Sequence, residues 1–357
     1  MIGEPAPPLD AGAFACLMAP FEPFEASVVL AVAVSGGRDS LALALLAQDW
    51  ATGRGGQAVG LIVDHGLRPE SAAEAAVTLD VLARHGIDGA ILTWSGAKPQ
   101  AGVQEAARSA RYRLLRDECR RRGIIHLLLA HHADDQAETV AMRAVRRSGP
   151  AGLAGMAAQI EHPEVRLLRP LLSVSRAWLT ATLRARSVQW VDDPSNSDPR
   201  FERARMRAGP RSSAQPPDAG AERPARERAL ARAAVEVLEF DQDGMAAIDW
   251  SCFAALGADL QASLLSRAVQ ALGGRDHPPR RDRLQRAVHR LCGPADRGKS
   301  GKSRDFTLSG CKLMLRQAPD GRRLRWIVRP EHGRNMGQPL VPAAFFACDA
   351  PAASHLD

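Results

Sequence analysis

Tyrosine, paired cysteine and long apolar runs are scarce in this 357-residue sequence, and each shortage removes a class of protein. Tyr112 is the sole tyrosine and aromatic residues make up 4% of the chain. That is too few for broad base-stacking platforms, so a nucleic acid partner is expected to be held through its backbone and shape. The six cysteines (Cys16, Cys119, Cys252, Cys292, Cys311 and Cys348) form no CxxC pair. Their scatter argues against a structural zinc site, an iron–sulfur cluster or a disulfide framework. No apolar run approaches the roughly 20 residues of a membrane span. The stretch 1–25 lacks the basic start and long apolar core of a signal peptide. A cytoplasmic location with no membrane partner is the expectation.

What is abundant is arginine. The net charge is +7 and the isoelectric point about 9.5, with arginine far outnumbering lysine. A basic balance suggests an RNA or DNA partner, although a GC-rich genome enriches arginine too. Hydrophobic residues at 45% and charged residues at 24% are ordinary for a globular protein. The length predicts two domains.

The chain is organised around Val28 to Leu46. An apolar, β-branched run, Val28–Val34, reads as a buried parallel strand. It breaks into Ser35-Gly36-Gly37-Arg38-Asp39-Ser40, and a helical apolar pattern resumes at Leu41. Two glycines at a strand-to-helix turn let the backbone approach a ligand, and the helix start offers unpaired N–H groups to an anion. A phosphate cradle is one reading; a tight turn capped by Asp39 and Ser40 is the other. It is not a Walker loop, because Arg38 and Asp39 follow Gly37 where that motif needs lysine.

Further strands are predicted at Ala58–Val63, Gly89–Trp94 and Ile124–Ala130. Helices are predicted from Pro69 to His85, Gln104 to Arg122 and Asp135 to Arg146. Strands alternating with helices imply a parallel sheet covered on both faces. Ligands of such sheets bind at the carboxyl ends of the strands. Ser35–Ser40, Asp64–Arg68 and His131–Glu138 all lie at such ends, so three separate segments converge on one crevice. Beyond them, a helix is predicted from Val174 to Arg186. Ala208–Pro224, rich in proline, serine and alanine, reads as a linker. Helices at Ala225–Phe240, Ala258–Leu272 and Arg280–Leu291 follow, then short strands at Phe306–Leu308, Lys312–Arg316 and Leu324–Val328 around an Asp320-Gly321 turn. The expected class is α/β: a parallel-sheet, Rossmann-like domain over 28–207 after a lead-in at 1–27, a 208–224 linker, a smaller and mainly helical domain with short strands over 225–330, and a weakly patterned tail over 331–357.

SGGRDS after a strand resembles the PP-loop of N-type ATP pyrophosphatases, which cut ATP between its α and β phosphates. Six further strings are similar to one branch of that family, the tRNA(Ile)-lysidine synthetases: DHGLR (Asp64–Arg68), QEAARSARYRLL (Gln104–Leu115), LAHHADDQAET (Leu129–Thr139), GPAGLAGM (Gly149–Met156), RPLL (Arg169–Leu172) and DPSNSDPRFERARMR (Asp193–Arg207). The resemblance implies an enzyme that adenylates C2 of a wobble cytidine in a tRNA(Ile) with anticodon CAU. L-lysine then displaces AMP. It implies ATP bound by Ser35, Gly36, Gly37, Arg38, Asp39, Ser40 and Asp64, with Mg²⁺ on Asp39. Asp39, Asp135, Glu138 and His131 become the expected catalytic residues. Asp134, Arg108, Arg111, Tyr112, Arg203 and Arg207 become the expected contacts to substrate or tRNA. A homodimer is compatible with this reading.

Each of these positions has a plainer explanation. Carboxylates in a first helical turn are favoured by the helix dipole without any function. DHGLR can be a turn that needs Gly66, and Arg108, Arg111 and Tyr112 can be a solvated helix face. His131 and His132 point to opposite sides of a strand end, so one of them is expected to be packed. Ala204 stands where the family has asparagine, which removes an amide contact there. Gly293 to Ser300 matches the Walker expression but follows a helix, so it is read as a basic loop. A tRNA thiolase and a non-catalytic nucleotide- or RNA-binding module are the competing functions. The first needs paired cysteines for its sulfur chemistry; the second would tolerate loss of Asp39 and Asp135.

Overall fold

Strand β1 (Val29–Val34) is apolar throughout because both its faces are covered. Leu30, Val32 and Val34 enter one core, while Ala31 and Ala33 enter a second on the opposite side of the sheet. In this computed structural model the described residues are 6–145, 153–162, 164–190, 219–241, 245–273, 278–293, 305–318 and 324–331. The chain divides into two compact units at Gly220 and Ala221.

In the first unit, β1 pairs in parallel with β2 (Gln57–Asp64) on one side and β4 (His126–Leu128) on the other. Beyond β2 lies β3 (Asp88–Thr93), also parallel. Beyond β4 come β6 (Arg166–Leu168), parallel, and β5 (Gln159–Glu161), antiparallel. The order β3-β2-β1-β4-β6-β5 reverses direction between β1 and β4. That reversal opens a crevice at the carboxyl ends of those two strands.

Helix α1 (Ala11–Met18) is capped by Asp10, whose carboxylate accepts from the Ala13 N–H at 2.7 Å. It delivers Phe14 and Met18 to the first core, where Leu9 and Phe21 join them. Helix α2 (Arg38–Thr52) is buried along most of its length, from Leu41 to Trp50. Helices α3 (Ser71–Arg84) and α6 (Arg176–Ala185) pack on the same side through Ala75 and Leu82, and through Leu179 and Leu183. Helix α4 (Val103–Arg122) covers the other face. Its buried positions Ala107, Ala110, Leu115 and Cys119 recur at helical spacing, and Gly123 ends it in the left-handed region. Helix α5 (Ala133–Val145) follows β4.

The second unit opens with α7 (Ala219–Val237), which starts inside the stretch read as a linker. Its sheet has the order β7-β8-β11-β10-β9 and is antiparallel throughout: β7 (Leu238–Phe240), β8 (Ala246–Asp249), β9 (Phe306–Leu308), β10 (Cys311–Gln317) and β11 (Leu324–Pro330). Helices α8 (Trp250–Ala255), α9 (Ala258–Gly273) and α10 (Arg281–Cys292) supply Phe253, Leu264, Leu265, Val269 and Leu291 to a core that includes Leu313, Trp326 and Val328. Helices and strands thus share this unit, whose sheet is larger than the sequence pattern indicated. Leu238 to Phe240, read as the end of a helix, is a strand because it pairs with β8. No described helix is long and apolar enough to cross a membrane.

Other departures are local. Strand β4 spans three residues instead of the seven of Ile124–Ala130, since Ile124 N–H turns back to the Cys119 carbonyl and closes the end of α4. Strands β5 and β6 are too short to show alternation. The Asp193–Arg207 motif, the Walker-like residues 294–300, the Asp320-Gly321 turn and the tail after 331 lie outside the described residues.

Gly36 is the backbone position on which the first turn depends. Its φ is +77°, and a side chain there would run into the Thr78 hydroxyl of α3. Gly36→Ala is expected to lower stability by roughly 1–3 kcal/mol. Adding Thr78→Ala should return only the steric part, as read by urea midpoints. A second expectation concerns α4. The Arg121 guanidinium first, and then that of Arg122, outweigh burial and hold the Glu118 carboxyl at about 2. A lowered folded-state value stabilises above the ordinary carboxylate range and is lost as pH falls. Glu118→Gln should therefore reduce the urea midpoint at pH 7, with the gap closing as pH falls from the ordinary range toward about 2.

Candidate active site

The site begins where β1 stops. The Ser40 hydroxyl accepts from the Ser35 N–H at 3.1 Å, donates to the Gly37 carbonyl at 2.9 Å and lies 3.2 Å from the Ser35 hydroxyl. These contacts fold Ser35–Ser40 into a closed loop. Gly37 takes the N-cap of α2 without a side chain to cap it. The first turn therefore presents backbone N–H groups toward the crevice, the arrangement that binds anions.

Asp39 and Asp135 come from different elements and meet at His132, which is 1% exposed. His132 Nε2 lies 3.3 Å from Asp39 Oδ2 and 3.4 Å from Asp135 Oδ2. Its Nδ1 accepts from the Asp134 N–H at 3.2 Å, so the ring's hydrogen is on Nε2, between the carboxylates. Asp135 Oδ2 also accepts from the His132 N–H at 3.1 Å and caps α5. The other oxygen of Asp39 accepts from Arg38 Nε at 3.2 Å. Burial alone would raise the Asp39 carboxyl; the His132 ring and then the Arg38 guanidinium overcome it and hold the group below its ordinary range. Asp39 is ionised in the crevice.

His131 faces elsewhere. It lines a cavity of about 260 Å³ together with His65, Gln104, Arg108, Arg111 and Tyr112. Arg108 Nη2 donates to the Tyr112 hydroxyl at 3.4 Å, and its guanidinium stands 5.2 Å from that ring's centre. Burial lowers the Arg111 guanidinium, and Arg108 adds to the effect. Three residues that the sequence left between a functional strip and a solvated face therefore share one cavity wall. Burial also lowers His65, whose ring stands edge-on to Trp94 with centres 6.1 Å apart.

Asp64 is used by its own loop. Its carboxylate is held low by the Ser71 hydroxyl and then by the Gly66 N–H, which donates at 2.8 Å. This geometry matches the turn reading of DHGLR. Asp134 and Glu138 stand half-buried on the first turns of α5. Arg203 and Arg207 lie outside the described residues. Sequence reasoning missed His132 and Arg169. The usable signal for His132 was its i,i+3 relation to Asp135, which places both at one helix start. Among the described residues no three His, Cys, Asp or Glu side chains form a ready-made metal cage. A divalent cation that arrives with phosphates and binds through one or two carboxylates needs none, and the ionised oxygens of Asp39 fit that requirement.

The PP-loop domain family matches residues 14–209. A tRNA(Ile)-lysidine synthase of Bradyrhizobium sp. (strain BTAi1) is 43% identical over 274 residues, which cover 71% of this chain and 76% of that protein. The Rhodopseudomonas palustris tRNA(Ile)-lysidine synthase is 40% identical over 83% of this chain and 90% of its own length. For the Methylobacterium nodulans tRNA(Ile)-lysidine synthase the identity is 40%, over 87% and 95%. Among solved structures, a U34-tRNA thiolase of Methanococcus maripaludis aligns at a TM-score of 0.45 and 16% identity, over 51% of this chain and 65% of that one. On the PP-loop match and on identities of 40% and above across most of both chains, this protein belongs to the tRNA(Ile)-lysidine synthase family.

Proposed function

We propose that this chain ligates L-lysine to C2 of the wobble cytidine of tRNA(Ile) with anticodon CAU, consuming ATP and releasing AMP and pyrophosphate. The observation that carries the proposal is the meeting of Asp39 and Asp135 at His132 beside an uncapped helix start. The relatives named as tRNA(Ile)-lysidine synthases support the choice of substrate. A reaction on tRNA and ATP belongs in the cytoplasm.

In this reading the backbone of Ser35–Ser40 holds the pyrophosphate portion of ATP, with Arg38 beside it, and Asp64 is assigned to the ribose or adenine. The cytidine O2 attacks the α phosphorus, and the α–β phosphate bond breaks. Asp39 is the residue that would hold Mg²⁺, which would supply positive charge against the phosphate oxygens. His132 keeps Asp39 turned into the crevice. The lysine ε-amine then attacks C2, and AMP departs with the former O2. Asp135 and Glu138, with Asp134 beside them, seat the lysine cation and take the amine's proton. Arg108, Arg111 and Tyr112 contact the anionic substrates, and Arg203 and Arg207 are assigned to tRNA phosphate.

Sulfur transfer fits less well. Burial pushes the thiols of Cys119 and Cys311 up to about 12, which leaves them as inert packing groups. Among the described cysteines Cys16 and Cys252 are exposed, and they stand in different units.

Purified protein given unmodified tRNA(Ile) with a CAU anticodon, ATP, Mg²⁺ and labelled lysine should put label into the tRNA, one AMP and one pyrophosphate per lysine. Sulfur incorporation without lysine incorporation would overturn the reading. Asp39→Asn, which preserves shape and removes the charge, should cut turnover by about 10²-fold or more while the circular dichroism spectrum stays unchanged. Unaltered turnover would remove Asp39 from the machinery.

A further inference from the structure

Arg169 follows β6 and is buried, at 6% exposed, behind the cavity wall. Its backbone N–H donates to the Ala158 carbonyl at 2.7 Å, and its Nη1 donates to the Ala157 carbonyl at 2.7 Å. Its Nε donates to His131 Nδ1 at 3.2 Å. A guanidinium has five N–H donors, no acceptor, and no accessible deprotonated form. His131 Nδ1 is therefore an acceptor without a hydrogen, and the ring's hydrogen sits on Nε2.

We propose that Arg169 is a positioning residue that locks His131 as a neutral Nε2–H donor in the substrate cavity. This inference rests on the proposed ligase reading for its kinetic part only. It has a chemical consequence for that reaction. A ring whose acceptor nitrogen is occupied by a permanent cation does not take the proton from the lysine amine. The proton falls to the α5 carboxylates, and His131 supplies a hydrogen bond to substrate instead.

Among the described residues, Arg108 and Arg111 from α4 and His65 from the loop after β2 line the same cavity as His131, and Arg169 donates to its ring. Opposed to them are the carboxylates of Asp134, Asp135 and Glu138, which start α5. The next residue repeats the device with a backbone donor, since His132 Nδ1 accepts from the Asp134 N–H. Adjacent histidines, turned to opposite sides, are thus both held with the hydrogen on Nε2.

The test is imidazole ¹⁵N NMR on the full chain labelled at histidine, with His131 assigned by His131→Gln. At about pH 6, below the ordinary histidine value, the wild-type ring should show one protonated nitrogen, Nε2, and one unprotonated nitrogen, Nδ1. In Arg169→Gln the doubly protonated pattern should appear at that pH, and kcat/KM for tRNA should fall roughly 10- to 100-fold, the loss typical of removing a partner that orients a functional histidine. A wild-type ring that is doubly protonated, or protonated on Nδ1, would overturn the proposal whatever the reaction proves to be. Because Arg169→Gln can also loosen the Ala157 segment, a second comparison keeps Arg169 intact. The side-chain amide in His131→Gln supplies an N–H donor and cannot act as a base. It should retain at least tenfold more turnover than His131→Ala; equal losses would contradict the donor role.

Discussion

One buried imidazole holds two strand ends together. Asp39 belongs to the turn after β1 and Asp135 to the helix after β4. His132 joins them by setting its Nε2 between their carboxylates while a backbone N–H occupies its other nitrogen. Two carboxylates this close to one another repel unless a donor sits between them. A buried ring that lost this role would leave unpaired polar groups in a protein interior, at a cost of about 1–3 kcal/mol each. Geometry at the crevice and stability of the junction are therefore the same problem.

The sheet sets up that junction before any side chain acts. β1 must be buried on both faces for its end to lie at the centre of the molecule's first unit, and its alternating leucine, valine and alanine positions meet that demand. The direction reversal between β1 and β4 then leaves a gap that neither neighbouring connection fills. Gly36 allows the chain to turn there while Thr78 packs against it. A side chain at position 36 and the Thr78 hydroxyl would compete for one small volume, and glycine resolves the competition.

The α/β alternation and the three strand-end segments were legible because each follows from local pattern. A run of β-branched residues, a glycine turn and a helical stripe at Ala107, Ala110 and Leu115 are short-range signals. The strands β5, β6, β7 and β8 were not legible. Each is three or four residues long and exists only because a partner strand accepts its hydrogen bonds. At the site, the residue types were visible but their division of labour was not. Different facing of His131 and His132 is expected if the strand runs on to them, but β4 ends at Leu128, so the loop that follows decides which ring touches Asp39. Arg169 was visible as part of RPLL and silent as to role, because its partners lie 38 and 12 residues away.

If His132 makes Asp39 and Asp135 act as one unit, their contributions cannot be independent. The direct measurement is a double-mutant cycle on kcat/KM for tRNA with His132→Gln and Asp135→Asn, alone and combined. Groups that act together give a double variant little worse than the worse single variant. Losses that multiply would show that the imidazole and the carboxylate work separately, and the account of the junction would be wrong.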